Sequence, residues 1–333
     1  MYSSIDLFAG IGGIRLGFEQ AFGEKLKTVY ASEIDSNAVK TYVSNFSSKK
    51  IIHGDVTKEV EADIPAHDFL LAGFPCQAFS AAGRKMGFDD ARGTLFFDVA
   101  RIIKFHKPKV VFAENVKNLV NHDKGTTFKI ILNVLKELGY EVFFQVLNSK
   151  NFGVPQNRER IYIVAFRENL GIRRFDFPEG INDSVKLKDI LEKTEVSNKY
   201  YLSETYLSTL KKHKERHALK GNGFGYEIRD PESIAGAIVC GGMGRERNLI
   251  VDNRLKDFTP KTNIKGEINK EFVRRMTPRE WARLQGFPET FKLPIADTHL
   301  YKQLGNSVTV PVVKAIALRI KDALKDSKNG TSR

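Results

Sequence analysis

Hydrophobic and polar positions along the first half of the chain keep two rhythms that take turns. Ser4-Ile5-Asp6-Leu7-Phe8 reads as a strand running into glycines, and residues 12–22 follow with helical spacing. Lys27-Thr28-Val29-Tyr30-Ala31-Ser32-Glu33 predicts a second strand, with a helix around residues 37–43 behind it. Ile51-Ile52-His53-Gly54-Asp55 and Asp68-Phe69-Leu70-Leu71-Ala72 predict a third and a fourth strand. Residues 94–105 place Leu95, Val99, Ile102 and Ile103 on one helical face; Val110-Val111-Phe112-Ala113 is a fifth strand, and residues 128–138 are another amphipathic helix. Strands and helices that alternate this way predict an α/β fold, a doubly wound and mostly parallel sheet covered on both faces.

The rhythm then changes. Residues 141–147 and 160–166 are both strand-like, with too few residues between them for a crossover helix, so they predict an antiparallel pair at the sheet edge. Beyond Ile172 the alternation stops, and a polar, glycine-rich stretch follows. It holds Lys211, Lys212, Lys214, Arg216 and Lys220, then Gly221-Asn222-Gly223-Phe224-Gly225-Tyr226 and Gly241-Gly242-Met243-Gly244-Arg245-Glu246-Arg247. A helical apolar pattern returns over 308–324. The expected organisation is a first domain over 1–171, a smaller domain over 172–290 and a segment over 291–333 that returns to the first. No internal repeat is visible, and residues 326–333 read as a frayed tail.

Composition narrows the class. The chain has 333 residues, 41 % hydrophobic and 28 % charged, which is ordinary for a globular enzyme. No apolar run approaches the roughly 18 residues of a membrane span, and the start lacks a secretory signal pattern. Two cysteines, Cys76 and Cys240, make neither a disulfide framework nor a four-cysteine metal site, and no metal is expected. A reducing cytoplasm is the expected location. The net charge of +13 favours a polyanionic partner such as nucleic acid.

Four loops after strands carry candidate chemistry. In Asp6-Leu7-Phe8-Ala9-Gly10-Ile11-Gly12-Gly13 the glycines let a ligand approach the backbone at a helix start. Glu33 ends the second strand, where an acid grips ribose hydroxyls, and Asp55 ends the third, within reach of an adenine amine. Arg15 stands where a dinucleotide fingerprint would place its third glycine, so the loop suits a nucleoside better than a pyrophosphate. Gly73-Phe74-Pro75-Cys76-Gln77-Ala78-Phe79-Ser80 puts a thiol at the ligand end of the fourth strand. The stretch behind it, to Asp90, reads as a flap with Arg84 and Lys85; Arg92 follows. Glu114-Asn115-Val116 closes the fifth strand, and a thiol and a carboxyl on neighbouring strand ends suggest a nucleophile with an acid. Pro155-Gln156-Asn157-Arg158-Glu159-Arg160 comes last, and strand alternation points Gln156, Arg158 and Arg160 to one side.

In this order, together with Arg279-Glu280-Trp281-Ala282-Arg283-Leu284-Gln285-Gly286-Phe287-Pro288 and Gly305-Asn306-Ser307-Val308, these segments resemble the DNA (cytosine-5) methyltransferases of bacterial restriction–modification systems. The resemblance runs from about Ser4 to Ile320. It implies the Rossmann-like fold of methyltransferases that use S-adenosylmethionine, and transfer of a methyl group to carbon 5 of cytosine within a specific double-stranded DNA sequence. Cys76 would attack carbon 6 of the base. Glu114 would contact ring nitrogen 3 and the amine, Arg160 the carbonyl oxygen, and Arg158 would support the site and nearby phosphates. Phe8, Ile11, Gly12 and Gly13 would surround the cofactor's methionine and sugar. Glu33 would hold the ribose, and Asp55 with Val56 the adenine. Pro75, Leu95, Asn306 and Val308 would complete the pocket. Ile34 departs from the pattern, because relatives often place an aromatic there.

A base inside a duplex must be flipped out to reach such a site. The flap would close behind it, and Gln77 or a side chain of the smaller domain would fill the gap. The glycine-rich loops, with Asn222, Tyr226, Gly241, Gly242, Arg245 and Arg247, are the candidate readers. The two arginines either reach guanine edges or bind only phosphates. Cys240 reads as packing. The base that removes the carbon 5 proton is not identifiable, and water is one choice. The resemblance further implies a monomer that works beside a cognate restriction endonuclease without a stable complex, in a bacterial cytoplasm at the nucleoid. A nicotinamide dehydrogenase gives no role to Cys76. An inactive DNA-binding regulator would not need Cys76, Glu114 and Arg160. A tRNA methyltransferase branch shares the fold but not the long glycine-rich middle.

Overall fold

The structure, a computed structural model, describes residues 1–46, 51–75, 94–181, 185–223, 225–241, 243–259 and 266–328, with the backbone alone for 51–53 and 328. Its elements are β1 (Tyr2–Leu7), α1 (Gly13–Phe22), β2 (Leu26–Glu33), α2 (Ser36–Asn45), β3 (Ile51–His53), β4 (Phe69–Ala72), α3 (Leu95–His106), β5 (Val110–Val116), α4 (Thr126–Glu137) and β6 (Tyr140–Asn148). Then come β7 (Gln156–Asn157), β8 (Glu159–Arg167), α5 (Leu187–Ile190), α6 (Glu204–Leu219), β9 (Ala235–Gly236), β10 (Ile250–Val251), β11 (Val273–Arg274), α7 (Pro278–Leu284), α8 (Asp297–Asn306) and α9 (Val310–Lys328).

They form two compact units. The larger comprises Met1–Asn148, Glu159–Gly180 and Val308–Arg333; the smaller comprises Ser149–Arg158 and Ile181–Ser307. The expected divisions at 172 and 291 do not coincide with these. Residues 172–180 stay with the larger unit because Phe175 packs on Phe143 and Phe166, ring centroids 5.9 and 5.4 Å apart. Residues 291–307 belong to the smaller one. Tyr301 there packs edge-on against Trp281 at 4.8 Å, and its hydroxyl donates to the Met276 carbonyl.

The larger unit is built on a seven-stranded sheet in the order β3-β2-β1-β4-β5-β8-β6. The pairs from β3 to β5 are parallel, while β8 runs antiparallel to both β5 and β6. Every residue of β4 is fully buried, as a continuous apolar run in the middle of a covered sheet requires. Helix α1 lies directly on α9. A Cβ at Gly17 would stand 2.7 Å from the Val313 side chain, so only glycine allows that approach. Thr94 caps α3 through its hydroxyl, and Val99, Ala100, Ile102 and Ile103 on its inner face are fully buried. The strand order reverses at β1, between β2 and β4, which places a ligand crevice at the carboxyl ends of these strands.

The smaller unit has two two-stranded pairs, β7 with β9 and β10 with β11. Its interior relies on charge as well as apolar contact. Arg274 is fully buried, with Nε 2.8 Å from Asp252 and its terminal nitrogens 2.8 Å from both oxygens of Glu280. Glu280 also completes a capping box with Thr277 at the start of α7, where Pro278 takes the first helical position. Burial pushes Asp252 upward, but Arg254 and Arg274 outweigh it and hold its carboxyl at about 2.

Candidate active site

The ends of β1, β2 and β3 converge through their backbone. After Leu7 the chain turns sharply: Phe8 adopts a left-handed conformation at φ 54°, unusual for a residue with a side chain, and Gly10 follows at 53°. Gly12, at φ 85°, precedes α1, and a Cβ there would come within 2.3 Å of the Phe46 ring. Ile11 is buried. The Glu33 carboxylate ties two loops together. One oxygen accepts from the Gly10 amide at 2.7 Å, the other from the Asp35 amide at 2.8 Å. Asp35 then caps α2. Beside Glu33, Ile34 is 65 % exposed, an apolar side chain left on the surface at a strand end. Asp55 accepts from the amide and hydroxyl of Thr57 and starts a 3₁₀ turn, while Val56 is buried behind it.

This set suits a nucleoside ligand. Glu33 is held rigidly and each carboxylate oxygen can accept more than one hydrogen bond, as a ribose diol needs. Asp55 offers an acceptor for an amine, and Ile34 an apolar surface for a flat ring. Half-buried Leu95 begins α3, and buried Val308 precedes α9.

The second half of the crevice lies across β4, β5 and β8. Ala72 pairs with Ala113, so the chain leaving β4 at Gly73-Phe74-Pro75 runs beside Glu114. A Cβ at Gly73 would stand 3.9 Å from Glu114 Oε2. The buried Asn115 amide donates to the Phe74 carbonyl at 2.8 Å and fastens that turn. Pro75 is exposed. In β8 the antiparallel register sets Arg160 opposite Val116, and Arg160 Nε reaches Glu114 Oε1 at 3.3 Å. Both side chains are mostly covered, 14 and 11 % exposed. Cys76, Gln77 and the rest of the flap, with Arg84, Lys85 and Arg92, lie outside the described residues, as does Gly242.

Residues 2–322 match the family described as C-5 cytosine-specific DNA methylase. The chain belongs to that family. It is 57 % identical to the type II methyltransferase M.HpaII of Haemophilus parainfluenzae over 327 residues, 97 % of this chain and 90 % of that one. Against M1.ScrFI of Lactococcus lactis subsp. cremoris the identity is 48 %, over 98 % and 80 % of the two chains. Among solved structures, the S. pombe Dnmt2 methyltransferase superposes with a TM-score of 0.71 at 20 % identity, covering 96 % of this chain and 98 % of that one. Entamoeba histolytica EhMeth gives 0.72 at 18 %, covering 98 % and 99 %. These two share the fold. As a C-5 cytosine methylase the protein methylates carbon 5 of cytosine in DNA.

For this methylase one expectation needs correction. Gln156, Arg158 and Arg160 do not share one strand face. β7 pairs with β9 in the smaller unit, the chain breaks at Arg158, and β8 starts afresh at Glu159. Arg158 is 2 % exposed, and its guanidinium donates to the carbonyls of Ile238 (2.7 Å), Gly305 (3.1 Å) and Ser307 (2.8 Å). It is a buried strut of the smaller unit, so the phosphate contact expected of it has no support here. Gln156 works beside it: its Oε1 accepts from the Ile238 amide, and its Nε2 donates to the Leu284 carbonyl and Gln285. Gln285 in turn donates to the Leu304 and Ser307 carbonyls. No sequence signal separated these buried struts from ligand contacts, since the residue types are the same.

The candidate readers also divide. Asn222 and Gly241 are exposed. Arg245 lies over the Tyr301 ring at 5.5 Å, and Arg247 is half-buried. Between them Glu246 is buried and paired with Arg275 at 2.8 Å. Tyr226 supports its loop under Lys214, whose ammonium sits 5.1 Å from the ring. Cys240 is exposed, and its thiol donates to Asn306 Oδ1 at 2.6 Å, both within the smaller unit. Lys211 is ion-paired with Glu271. Arg101, on α3, carries no sequence signal beyond its place in that helix.

Proposed function

We propose that the methyl donor is S-adenosylmethionine, with its ribose on Glu33, its adenine between Asp55, Val56 and Ile34, and the Phe8-to-Gly13 turn around the rest. The rigid, acceptor-rich strand ends support this reading. When bound, the donor supplies an electrophilic methyl group on a sulfonium. The single observation that carries the catalytic assignment is the Glu114–Arg160 pair, 3.3 Å apart at the crevice. Cytosine presents an amine, a ring nitrogen and a carbonyl oxygen along one edge. A protonated Glu114 gives a proton to nitrogen 3 and accepts from the amine, while Arg160 donates to the carbonyl oxygen.

Cys76 adds as thiolate to carbon 6, and the electron pair of the 5,6 double bond becomes available at carbon 5. The proton from Glu114 offsets the charge pushed into the ring. After methylation a base takes the carbon 5 proton, the thiolate leaves and nitrogen 3 returns its proton to Glu114, which restores the neutral aromatic ring. The target base is flipped out of the duplex, and the smaller unit reads the flanking sequence through residues 222–226 and 241–247. The protein acts as a cytoplasmic monomer at the nucleoid, the modification half of a restriction–modification pair that forms no stable complex.

Glu114→Gln keeps size and polarity but cannot deliver the proton. It should lower single-turnover transfer of labelled methyl to duplex DNA by roughly 10²–10⁴-fold. Wild type should label duplex DNA and leave tRNA unlabelled. Transfer at the wild-type rate by Glu114→Gln contradicts the assignment, and label in tRNA alone contradicts the substrate.

A further inference from the structure

The segment that carries Asp55 and Val56 cannot hold its own shape. It consists of two short 3₁₀ turns, Val56–Lys58 and Glu61–Asp63, each closed by few internal hydrogen bonds. The carbonyls of Val56 and Glu61 take only long internal bonds, from Glu59 (3.3 Å) and Ile64 (3.2 Å), and have room for stronger partners elsewhere. Arg101, two turns into α3, supplies one for Val56. Its terminal nitrogens donate to the carbonyls of Val56 (2.5 Å) and Glu59 (2.8 Å). The same guanidinium is fixed from both sides by Asp98 and Glu61, each at 2.9 Å, and its side chain is 15 % exposed. His106, at the end of α3, adds a contact from Nε2 to the Glu61 carbonyl at 2.8 Å.

We infer that Arg101 is a positioning residue for the adenine end of the cofactor pocket. It clamps the Val56-to-Glu59 backbone onto α3 and so sets where the Asp55 carboxylate stands. The inference rests on the reading of Asp55 and Val56 as the adenine contacts. Three physical points favour it. A planar fork with five donors can hold two carbonyls and two carboxylates at once, which an ammonium cannot. The helix that carries the fork is fixed in the core through Val99, Ala100, Ile102 and Ile103. The same helix starts at Leu95, the other expected pocket residue, so one rigid element sets both. Without the clamp, Val56 stays anchored in the core and the turn keeps its contact with His106. The chain then folds, and what loosens is the aim of Asp55.

The test measures recognition of the adenine amine rather than activity. Titrate wild type with S-adenosylhomocysteine and with S-inosylhomocysteine, in which a carbonyl replaces the amine. Wild type should prefer the adenosine compound, because Asp55 accepts from an amine and repels a carbonyl. Arg101→Ala should bind S-adenosylhomocysteine about tenfold more weakly, the scale of lost charged hydrogen bonds. Its preference over the inosine compound should collapse. Arg101→Lys should recover part of both, and Asp55→Ala should lose the preference as fully. If Asp55→Ala loses the preference while Arg101→Ala and Arg101→Lys keep it, Arg101 is only structural and the inference is overturned. If Asp55→Ala keeps the preference, the reading of Asp55 fails and the inference falls with it. Should Arg101→Ala not fold, Asp98→Asn with Glu61→Gln releases the fork more gently. That double variant should narrow the preference, and an unchanged one overturns the inference.

Discussion

Asp6 is the acid at the end of β1, fully buried beneath the turn that holds Phe8. Burial raises its carboxyl to about 8 against the opposing pull of Arg15, and one of its oxygens, Oδ1, has no hydrogen-bond partner among the described residues. The folded protein therefore keeps a proton that the unfolded chain, with an ordinary value of about 4, gives up. Between those two values folding binds a proton, so stability is full below pH 4 and declines as pH rises toward 8. Asp6→Asn removes this titration. Urea unfolding of the two proteins from pH 5 to 9 should show the variant gaining on wild type up to about pH 8, then a constant gap; parallel curves throughout contradict the burial argument. Glu33 has both carboxylate oxygens engaged by backbone amides, those of Gly10 and Asp35. Glu33→Ala should weaken S-adenosylhomocysteine binding by roughly 1–3 kcal/mol in calorimetry and leave DNA affinity nearly unchanged. Equal loss for both ligands would move the cofactor elsewhere. At this scale the sequence is legible where residue type and conformation are linked. Gly12 is such a place, because nothing larger fits against Phe46. It is silent where one residue type serves two ends: Arg158 and Arg160 stand two positions apart, one a buried strut and the other beside Glu114.

At the scale of elements, the strands and helices of the larger unit could be read from period alone, because buried parallel strands are apolar runs and their helices are one-sided. β7 could not. Its two residues pair with β9, some eighty positions away, and a pair that short leaves no periodic trace. The basic run on α6 was visible as charge but not as function. The helix fully buries only Leu207 and Leu210, and its second half is mostly exposed, with Lys211, His213 and His217 half-buried. Lys211 is ion-paired with Glu271 and Lys214 sits over Tyr226, while Lys212, Arg216 and Lys220 are exposed; Lys212 and Arg216, on α6 itself, are the candidates for phosphate contact. Lys212→Gln with Arg216→Gln should reduce the log–log salt slope of DNA binding by about 0.9 per phosphate lost, equally for cognate and scrambled duplexes. An unchanged slope would make α6 a bystander. Arg247→Ala should instead relax preference at one base pair, at a cost of about 1–3 kcal/mol there. Parallel loss on cognate and scrambled duplexes would exclude residues 241–247 as the reader.

For the whole molecule, the net charge of +13 and the ordered motifs point to DNA, and the family match over residues 2–322 agrees. The unit boundaries were less legible. Composition changes at Ile172, but the chain leaves the larger unit first at Ser149, returns at Glu159 and leaves again at Ile181. A chain that crosses three times within about thirty residues leaves no single compositional break to find. The proposed chemistry has Cys76 add to the base, and that bond can be trapped. A long duplex with 5-fluorocytosine in place of cytosine needs no knowledge of the recognition sequence, and fluorine at carbon 5 cannot leave as a proton does. With S-adenosylmethionine present, wild type should form a complex with this duplex that survives denaturing electrophoresis, and Cys76→Ser should form none. No complex with wild type, or one that persists with Cys76→Ser, would contradict covalent catalysis by Cys76.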